Sequence, residues 1–184
     1  MAHPTAPRYA PLSRALHWLT AIAVTVAFIL GPGGFSRLMR QGVDPATRPG
    51  IVWHESLGLL VLALTLLRLL WVALRPGKPQ FDMPAWMQAL SRLVHGALWA
   101  LLLALPATAL LALGSEGRPL TLLGGVRVDQ LPWIAGSRLG GLADWGDVHG
   151  LLGDVLMWLA GLHALAALFH HFVRRDGVLA AMLP

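Results

Sequence analysis

Four long apolar runs constrain this chain more than any other feature of its sequence. They cover approximately residues 13–31, 52–74, 91–113 and 148–173. A helix needs about 20 predominantly apolar residues to cross the hydrocarbon core of a bilayer, and each run is close to or above that length. Because 56% of the residues are hydrophobic and only 12% are charged, an ordinary soluble domain is a poor alternative. The sequence predicts an all-α membrane protein, a four-transmembrane-helix bundle that forms a single domain over residues 1–184.

Glycine and proline mark where the runs end. Arg8 and Arg14 stand before or at the start of the first run, as basic residues do before the core of a signal peptide, but the run ends in GPGG at 31–34 without a small-x-small cleavage pattern. We therefore expect it to remain as a span. The second run ends in RPGKP at 75–79, where two prolines and a glycine stop a helix. Pro106 lies inside the third run and is a candidate kink, and a Gly-rich loop at 114–147 precedes the fourth run.

Basic residues lie on both sides of the predicted bundle in nearly equal number. If the spans alternate, the side with both termini carries Arg8, Arg14, Arg75, Lys78, Arg92, Arg174 and Arg175, and the other side carries Arg37, Arg40, Arg48, Arg118, Arg127 and Arg138. Basic residues close to the span ends favour both termini in the cytoplasm. The net charge of +5 suits contact with anionic membrane lipid. The basic residues are scattered between spans, so they do not indicate nucleic-acid binding.

Histidine is the reactive residue type in this apolar chain. The sequence has no cysteine, which excludes disulfides, thiolate-ligated iron–sulfur clusters and covalent haem attachment. A redox cofactor would need other ligands, and imidazole is the obvious one. Four of the eight histidines lie within residues 148–171.

Helical spacing arranges four of these histidines in two pairs. His17 begins the first run on the terminus side, and His54 begins the second run on the opposite side. The fourth run has the same direction as the second, so His149 lies at the depth of His54. His163 follows fourteen residues later, about 21 Å along the axis at ~1.5 Å per residue. Two heptads keep His149 and His163 on nearly the same face, with a drift of about 40°. The spacing predicts His17 facing His163 at the end of the bundle that carries the termini, and His54 facing His149 at the opposite end. We call these the inner pair and the outer pair, and the two ends the inner and the outer end.

Two imidazoles that face each other across a bundle are what a bis-histidine haem requires. An iron with both axial positions filled is suited to electron transfer rather than to binding oxygen. Small residues stand one turn after each histidine and would leave room for the macrocycle: Ala21, Gly58, Gly153 and Ala167. A packing or interfacial role is the alternative for any single histidine. Four at matched depths favour metal ligands, because ionisable groups inside a membrane are functional candidates.

Arg68 lies fourteen residues after His54, on a similar face and at the depth of the inner pair. Its guanidinium could pair bidentately with a haem propionate. The alternative is that the long side chain extends to the near interface.

His170 lies seven residues after His163 and about 10 Å nearer the terminus-side surface. It is either a hydrogen-bond or proton donor to a quinone or a surface histidine in the headgroup region. His95 either supports a neighbouring ligand or is an interfacial histidine. Asp154 either accepts a hydrogen bond from a neighbouring helix or belongs to a proton path. His171 receives no role.

The segments that carry these residues resemble the bacterial cytochrome b561 family of small di-haem membrane proteins. They are SRALHWLTA, VWHESLGLLVLALTLLRLLW, LVHGALWALLLALPATALL and DVHGLLGDVLMWLAGLHALAALFHH, and the resemblance extends from about Tyr9 to Pro184. It implies two non-covalent b-type haems with the ligand pairing given above. It also implies a multi-pass protein of the bacterial inner membrane that transfers electrons from a periplasmic-side donor to ubiquinone. Some members are superoxide oxidases, so superoxide is the first candidate donor. His170 and the region near Ser13 resemble the quinone region of the family.

Two other functions stay open at this point. Related di-haem cytochromes are electron-carrier subunits of hydrogenase, dehydrogenase or reductase complexes, in which case a redox protein would be the partner. A metal transporter that uses the histidines as ligands is the second alternative. The vertical separation of the two pairs argues against a single translocation site.

Overall fold

The computed structural model describes residues 8–31, 41–75, 79–129 and 137–183. Its four long helices are α1 at Pro11–Leu30, α2 at Pro49–Leu74, α3 at Ala85–Ser115 and α4 at Trp145–Phe169. Each is long and apolar enough to cross a membrane, which confirms the predicted all-α architecture with four transmembrane helices. The predicted breakers at 32–34 and 76–78 and the outer residues Arg37 and Arg40 lie outside the described residues.

Short elements connect the helices. A 3₁₀ turn at Pro45–Thr47 precedes α2. A hairpin of antiparallel strands, β1 at Leu120–Thr121 and β2 at Arg127–Val128, encloses a second 3₁₀ turn at Leu123–Gly125. This hairpin lies in the segment that the sequence predicted only as a loop, because two-residue strands are too short to show an alternating pattern. A π-helical turn at His170–Arg174 continues α4.

The helices begin earlier than the apolar runs that predicted them. α3 begins at Ala85 instead of residue 91, and α4 begins at Trp145 instead of residue 148. The side chain of Asp144 caps α4 by accepting a hydrogen bond from the Asp147 amide at 3.0 Å. This cap, rather than the edge of the apolar run, marks the start of α4, whereas α3 begins directly after Pro84 without a side-chain cap. α3 continues through Pro106, so the predicted kink site lies inside an unbroken helix.

The core is small and lies between the helices. α1 packs mainly against α2, and α3 mainly against α4, while α2 and α3 share a smaller contact. The central cluster consists of Leu16, Ala23, Val61, Leu64, Leu102 and Leu156. Two buried threonines inside the helices, Thr20 and Thr108, donate to carbonyls one turn earlier, and the Thr20 hydroxyl lies 2.7 Å from the Leu16 oxygen. The hydroxyl of the fully buried Thr65 has no hydrogen-bond partner among the described residues.

The outer surface of the helices is apolar. Trp158 on α4 is 78% exposed, and Ile29 on α1 is 71% exposed. Large apolar side chains that are exposed along the whole length of a span are typical of a surface that faces lipid, because polar side chains are unfavourable in the hydrocarbon core. The fold places the paired histidines and Arg68 between the helices, whereas Asp154 is exposed on α4.

Candidate functional site

His54 and His149 face each other across the bundle near the start of α2 and of α4. Their ring centres are 6.0 Å apart, with the ring planes at 86°. Nδ1 of His54 lies 2.8 Å from the Ala27 carbonyl oxygen, and Nδ1 of His149 lies 3.0 Å from the Leu105 carbonyl oxygen. A carbonyl oxygen only accepts, so each Nδ1 carries the proton and each Nε2 keeps its lone pair. This is the arrangement that orients a metal-binding imidazole.

His17 and His163 form the second pair, at the other end of the bundle. Their ring centres are 6.4 Å apart and their planes are at 70°. The structure thus brings together both pairs that the fourteen-residue spacing predicts, each composed of residues from two different helices.

A third imidazole lies beside the inner pair. The ring centre of His95 is 5.0 Å from that of His163, and its Nδ1 lies 2.6 Å from the Ser91 carbonyl oxygen. An iron between two imidazoles holds the ring centres about 6 Å apart, because each metal–nitrogen bond is about 2 Å. The spacing of His95 is too short for that, so geometry assigns His17 rather than His95 as the residue opposite His163.

The residues at both pairs fit a haem. The separations of 6.0 and 6.4 Å match two axial imidazoles. A Cβ added to Gly58 or Gly153 would meet no atom within 4 Å, so open space adjoins the outer pair one turn from each histidine. Within the described part of the chain, no group of three or more His, Asp or Glu side chains is arranged to hold a bare metal ion. Two protein ligands are enough for haem iron, because the macrocycle supplies the remaining in-plane ligands.

Arg68 lies at the inner pair, at the depth that the sequence predicted. Its Nη2 is 3.5 Å from Nδ1 of His17, and its guanidinium lies 4.8 Å from the ring centre of Trp99. The first distance is at the limit of a hydrogen bond, whereas the second is a cation–π contact. The guanidinium of Arg68 therefore lies inside the bundle, and the side chain does not extend to the interface. The pairing of Arg68 with a haem propionate stays a prediction.

Gly31 contributes to the outer pair in a way that the sequence did not reveal. A Cβ at this position would lie 3.3 Å from two atoms of the His54 ring and 3.1 Å from the Phe28 carbonyl oxygen. The absence of a side chain lets the end of α1 approach the imidazole closely. In the sequence this glycine is only part of the cluster that ends the first run, since its contact with His54 is a tertiary one.

Glu55 and Ser56 hold the outer hairpin against the start of α2. The carboxylate of Glu55 accepts a hydrogen bond from the Thr121 amide, and the hydroxyl of Ser56 accepts one from the Leu123 amide at 2.9 Å. Glu55 is only 9% exposed and Thr121 only 2%. The sequence did not predict this attachment, although a carboxylate directly after a ligand candidate inside an apolar run is a signal for it.

Replacing Glu55 with alanine should detach the hairpin. The buried Thr121 amide would lose its acceptor, and an unpaired buried amide costs about 1–3 kcal/mol. We expect amide hydrogen exchange in β1 to accelerate about tenfold or more. Glu55→Gln is the matched control, because its side-chain oxygen still accepts a hydrogen bond. Unchanged exchange in the alanine variant would show that other contacts hold the hairpin.

At the inner end, His170 contacts Asp176, for which the sequence predicted no role. Its Nδ1 lies 2.5 Å from Oδ2 of Asp176, and both side chains are 13% exposed. Ser13, the other residue of the predicted quinone region, accepts a hydrogen bond from the Trp71 indole at 2.9 Å. His171 packs against Phe172 and remains without an assigned role.

The C-terminal segment closes over the start of α1. The indole of Trp18 donates to the Met182 carbonyl at 2.9 Å, and the guanidinium of Arg14 donates to the Leu183 carbonyl at 2.7 Å. The first turns of α1 and the C-terminal segment are therefore held together by hydrogen bonds beside the inner pair.

The fold and the two histidine pairs define a class, that of helical membrane cytochromes with the cofactor held between spans. The chain belongs to the prokaryotic cytochrome b561 family, whose sequence profile matches residues 8–184. This confirms the resemblance found from the sequence. Membership implies b-type haem, transmembrane helices and a role in electron transport.

Three relatives are similar over nearly their whole length. Cytochrome b561 homolog 2 of Escherichia coli (strain K12) is 30% identical over 183 residues, which cover 97% of this chain and 93% of the relative. The probable superoxide oxidase CybB of Yersinia pestis is 28% identical, with 96% of each chain covered. Cytochrome b562 of Cereibacter sphaeroides is 32% identical, again with 96% of each chain covered.

Proposed function

We propose that this protein is a di-haem cytochrome of the bacterial inner membrane that transfers electrons from a periplasmic-side donor, with superoxide as the first candidate, to ubiquinone. His54 and His149 would hold the outer haem, and His17 and His163 the inner haem. The observation that carries the proposal is the pair of facing imidazoles at each end of the bundle, 6.0 and 6.4 Å apart. Haem held by these residues would supply one-electron redox chemistry.

The protein contributes orientation and charge. The hydrogen bonds from Nδ1 of His54 and His149 to backbone carbonyls fix the rings and raise the basicity of each Nε2. The positive charge of Arg68 at the inner pair would pair with a propionate carboxylate. His170, near the end of the same helix as His163, would contact the quinone. Both termini would lie in the cytoplasm, as the basic residues at the span ends favour.

The charges at the outer end are compatible with a small anionic donor, although part of the positive charge is neutralised. Arg118 pairs with Glu116 at 2.8 Å, and Arg127 pairs with Asp44 at 3.3 Å. A relative named as a probable superoxide oxidase supports superoxide as the donor. Because paired arginines produce a weaker long-range field, we expect only a modest dependence of the rate on ionic strength.

Superoxide-driven reduction of ubiquinone tests the donor and the acceptor together. Purified protein in detergent, supplied with superoxide and a short-chain ubiquinone, should form ubiquinol faster than the spontaneous reaction does. Superoxide dismutase should abolish the excess rate, and the His54→Ala variant should lack it. A rate equal to that of protein-free detergent would rule out superoxide as the donor.

A second candidate function is that of a membrane electron-carrier subunit in a larger complex. One observation favours it. Asp154 lies exposed on α4 within the span, and among the described residues it has no hydrogen-bond partner. A carboxylate that faces lipid is unfavourable, and a helix of a partner protein could cover it. Copurification of a stable redox partner after mild solubilisation would support this function, whereas a chain that runs alone and reduces quinone would not.

A further inference from the structure

The chain makes an unusual turn at the inner end of α4. The helix widens into a π-helical turn at His170–Arg174, and Arg175 then adopts a φ of 54°. Among the described residues, Arg175 is the only one other than glycine with a positive φ. Such a conformation is unfavourable for a residue with a side chain, and π-turns frequently occur at functional sites. Gly177, with a φ of 78°, completes the reversal.

This turn brings Asp176 back onto the imidazole of His170. Oδ2 of Asp176 lies 2.5 Å from Nδ1 of His170 and 3.1 Å from Nε of Arg174. Oδ1 accepts a hydrogen bond from the Val178 amide at 3.3 Å. Burial acts to raise the pKa of Asp176, but the hydrogen bonds from His170, Val178 and Arg174 outweigh it and hold the pKa below its usual range. The side chain is therefore a carboxylate at neutral pH.

The carboxylate decides which nitrogen of His170 is available. It only accepts, so the proton of the shared hydrogen bond belongs to Nδ1. Nε2 has no hydrogen-bond partner among the described residues. When the ring is an imidazolium, Nε2 donates, as a quinone carbonyl oxygen requires. When the ring is neutral, Nε2 accepts, as a quinol hydroxyl requires.

The position of this pair also suits a quinone. His170 lies on α4 seven residues beyond His163, about 10 Å along the axis. The segment that follows Asp176 packs over the start of α1, where the Tyr9 amide donates to the Ala181 carbonyl at 3.1 Å. The turn itself carries Arg174, which pairs with Asp176, and Arg175, and Arg14 on α1 donates to the Leu183 carbonyl in the same segment.

We propose that Asp176 is a positioning residue of the quinone site: it fixes Nδ1 of His170 and thereby presents Nε2 to the oxygen of the quinone ring. The proposal rests on the proposed function, because that function supplies the quinone. It assigns the carboxylate an indirect role, in which Asp176 acts only through the imidazole.

Quinone binding to the oxidised protein tests the proposal without turnover. Asp176→Ala should weaken the affinity for a short-chain ubiquinone about tenfold, the value of one charge-assisted hydrogen bond, and leave the haem spectra unchanged. In turnover, the loss should appear in KM more than in kcat. Asp176→Glu should recover most of the affinity, and Asp82→Ala, an exposed carboxylate on the same side of the membrane, should retain all of it. Equal affinity in Asp176→Ala and wild type would overturn the proposal.

The imidazole nitrogen resonances of the reduced protein give a second measurement that needs no Asp176 variant. The resonances that are absent from the spectrum of the His170→Gln variant belong to His170. In the wild type they should show a protonated Nδ1, with or without a proton on Nε2. A neutral ring with its proton on Nε2 alone would refute the positioning role, even if the alanine variant does not fold. Absence of quinone binding in the wild type would instead contradict the proposed function.

Discussion

Replacing His54 with alanine is expected to remove one haem and to leave the other with an unchanged spectrum. His54 and His149 are the only described imidazoles that face each other at the outer end, and their separation of 6.0 Å suits one iron. The inner pair is about 21 Å away along α4, so its coordination should not depend on His54. We expect the haem content to fall from two per chain to about one. Haem extraction with a protein assay and reduced-minus-oxidised spectra would measure this.

His17→Ala should give the reciprocal result, with loss of the inner haem and retention of the outer one. His171→Ala is the matched control for the loss of a histidine, because this exposed residue packs against Phe172 and belongs to neither pair, and both haems should remain. His95→Ala should also keep both, since its ring is too close to that of His163 to share an iron. Retention of both haems in His17→Ala and His54→Ala would overturn the ligand assignment.

Replacing Gly153 with leucine is expected to exclude the outer haem from a protein that still folds. A Cβ at Gly153 would project into open space one turn from His149, and a leucine side chain would fill the volume that the macrocycle needs. The substitution itself favours the helix, because leucine is better than glycine in a helix interior by up to about 1 kcal/mol. Loss of haem would therefore report a steric conflict and not unfolding. The haem content should again fall to about one per chain.

Gly161→Leu provides the control on the same helix. Gly161 is exposed, and an added Cβ there also meets nothing within 4 Å, but it lies on the side of α4 that faces away from the histidines. This variant should retain both haems with normal spectra. Full haem content in Gly153→Leu would mean that the space beside the outer pair is not the haem site.

The architecture and the histidine pairing followed from the sequence because both depend on helical regularity. A run of about 20 apolar residues has few stable alternatives to a membrane helix. Inside such a helix, the depth and direction of a side chain follow from residue number alone. The fourteen-residue interval between His149 and His163 therefore fixed two depths on one face, and the alternation of spans supplied His54 and His17 as partners.

The residues at which the helices begin could not be predicted from hydropathy. The apolar runs placed the start of α3 at residue 91, whereas the helix begins at Ala85. The start of α4 is set by the cap at Asp144. Backbone hydrogen bonding at a cap is local chemistry that hydropathy does not record.

Several contacts at the site could be found only from the tertiary structure, and for the same physical reason. Gly31 against His54, Glu55 against Thr121 and His95 against His163 each join segments that no periodic pattern relates. Asp176 reaches His170 only because the chain leaves the α-helix through a π-turn and a left-handed Arg175. The sequence thus determined which side chains could serve as a redox centre and how deep they lie in the membrane. The tertiary structure determined which neighbours orient them, because that depends on backbone turns and close approaches without a repeating signature.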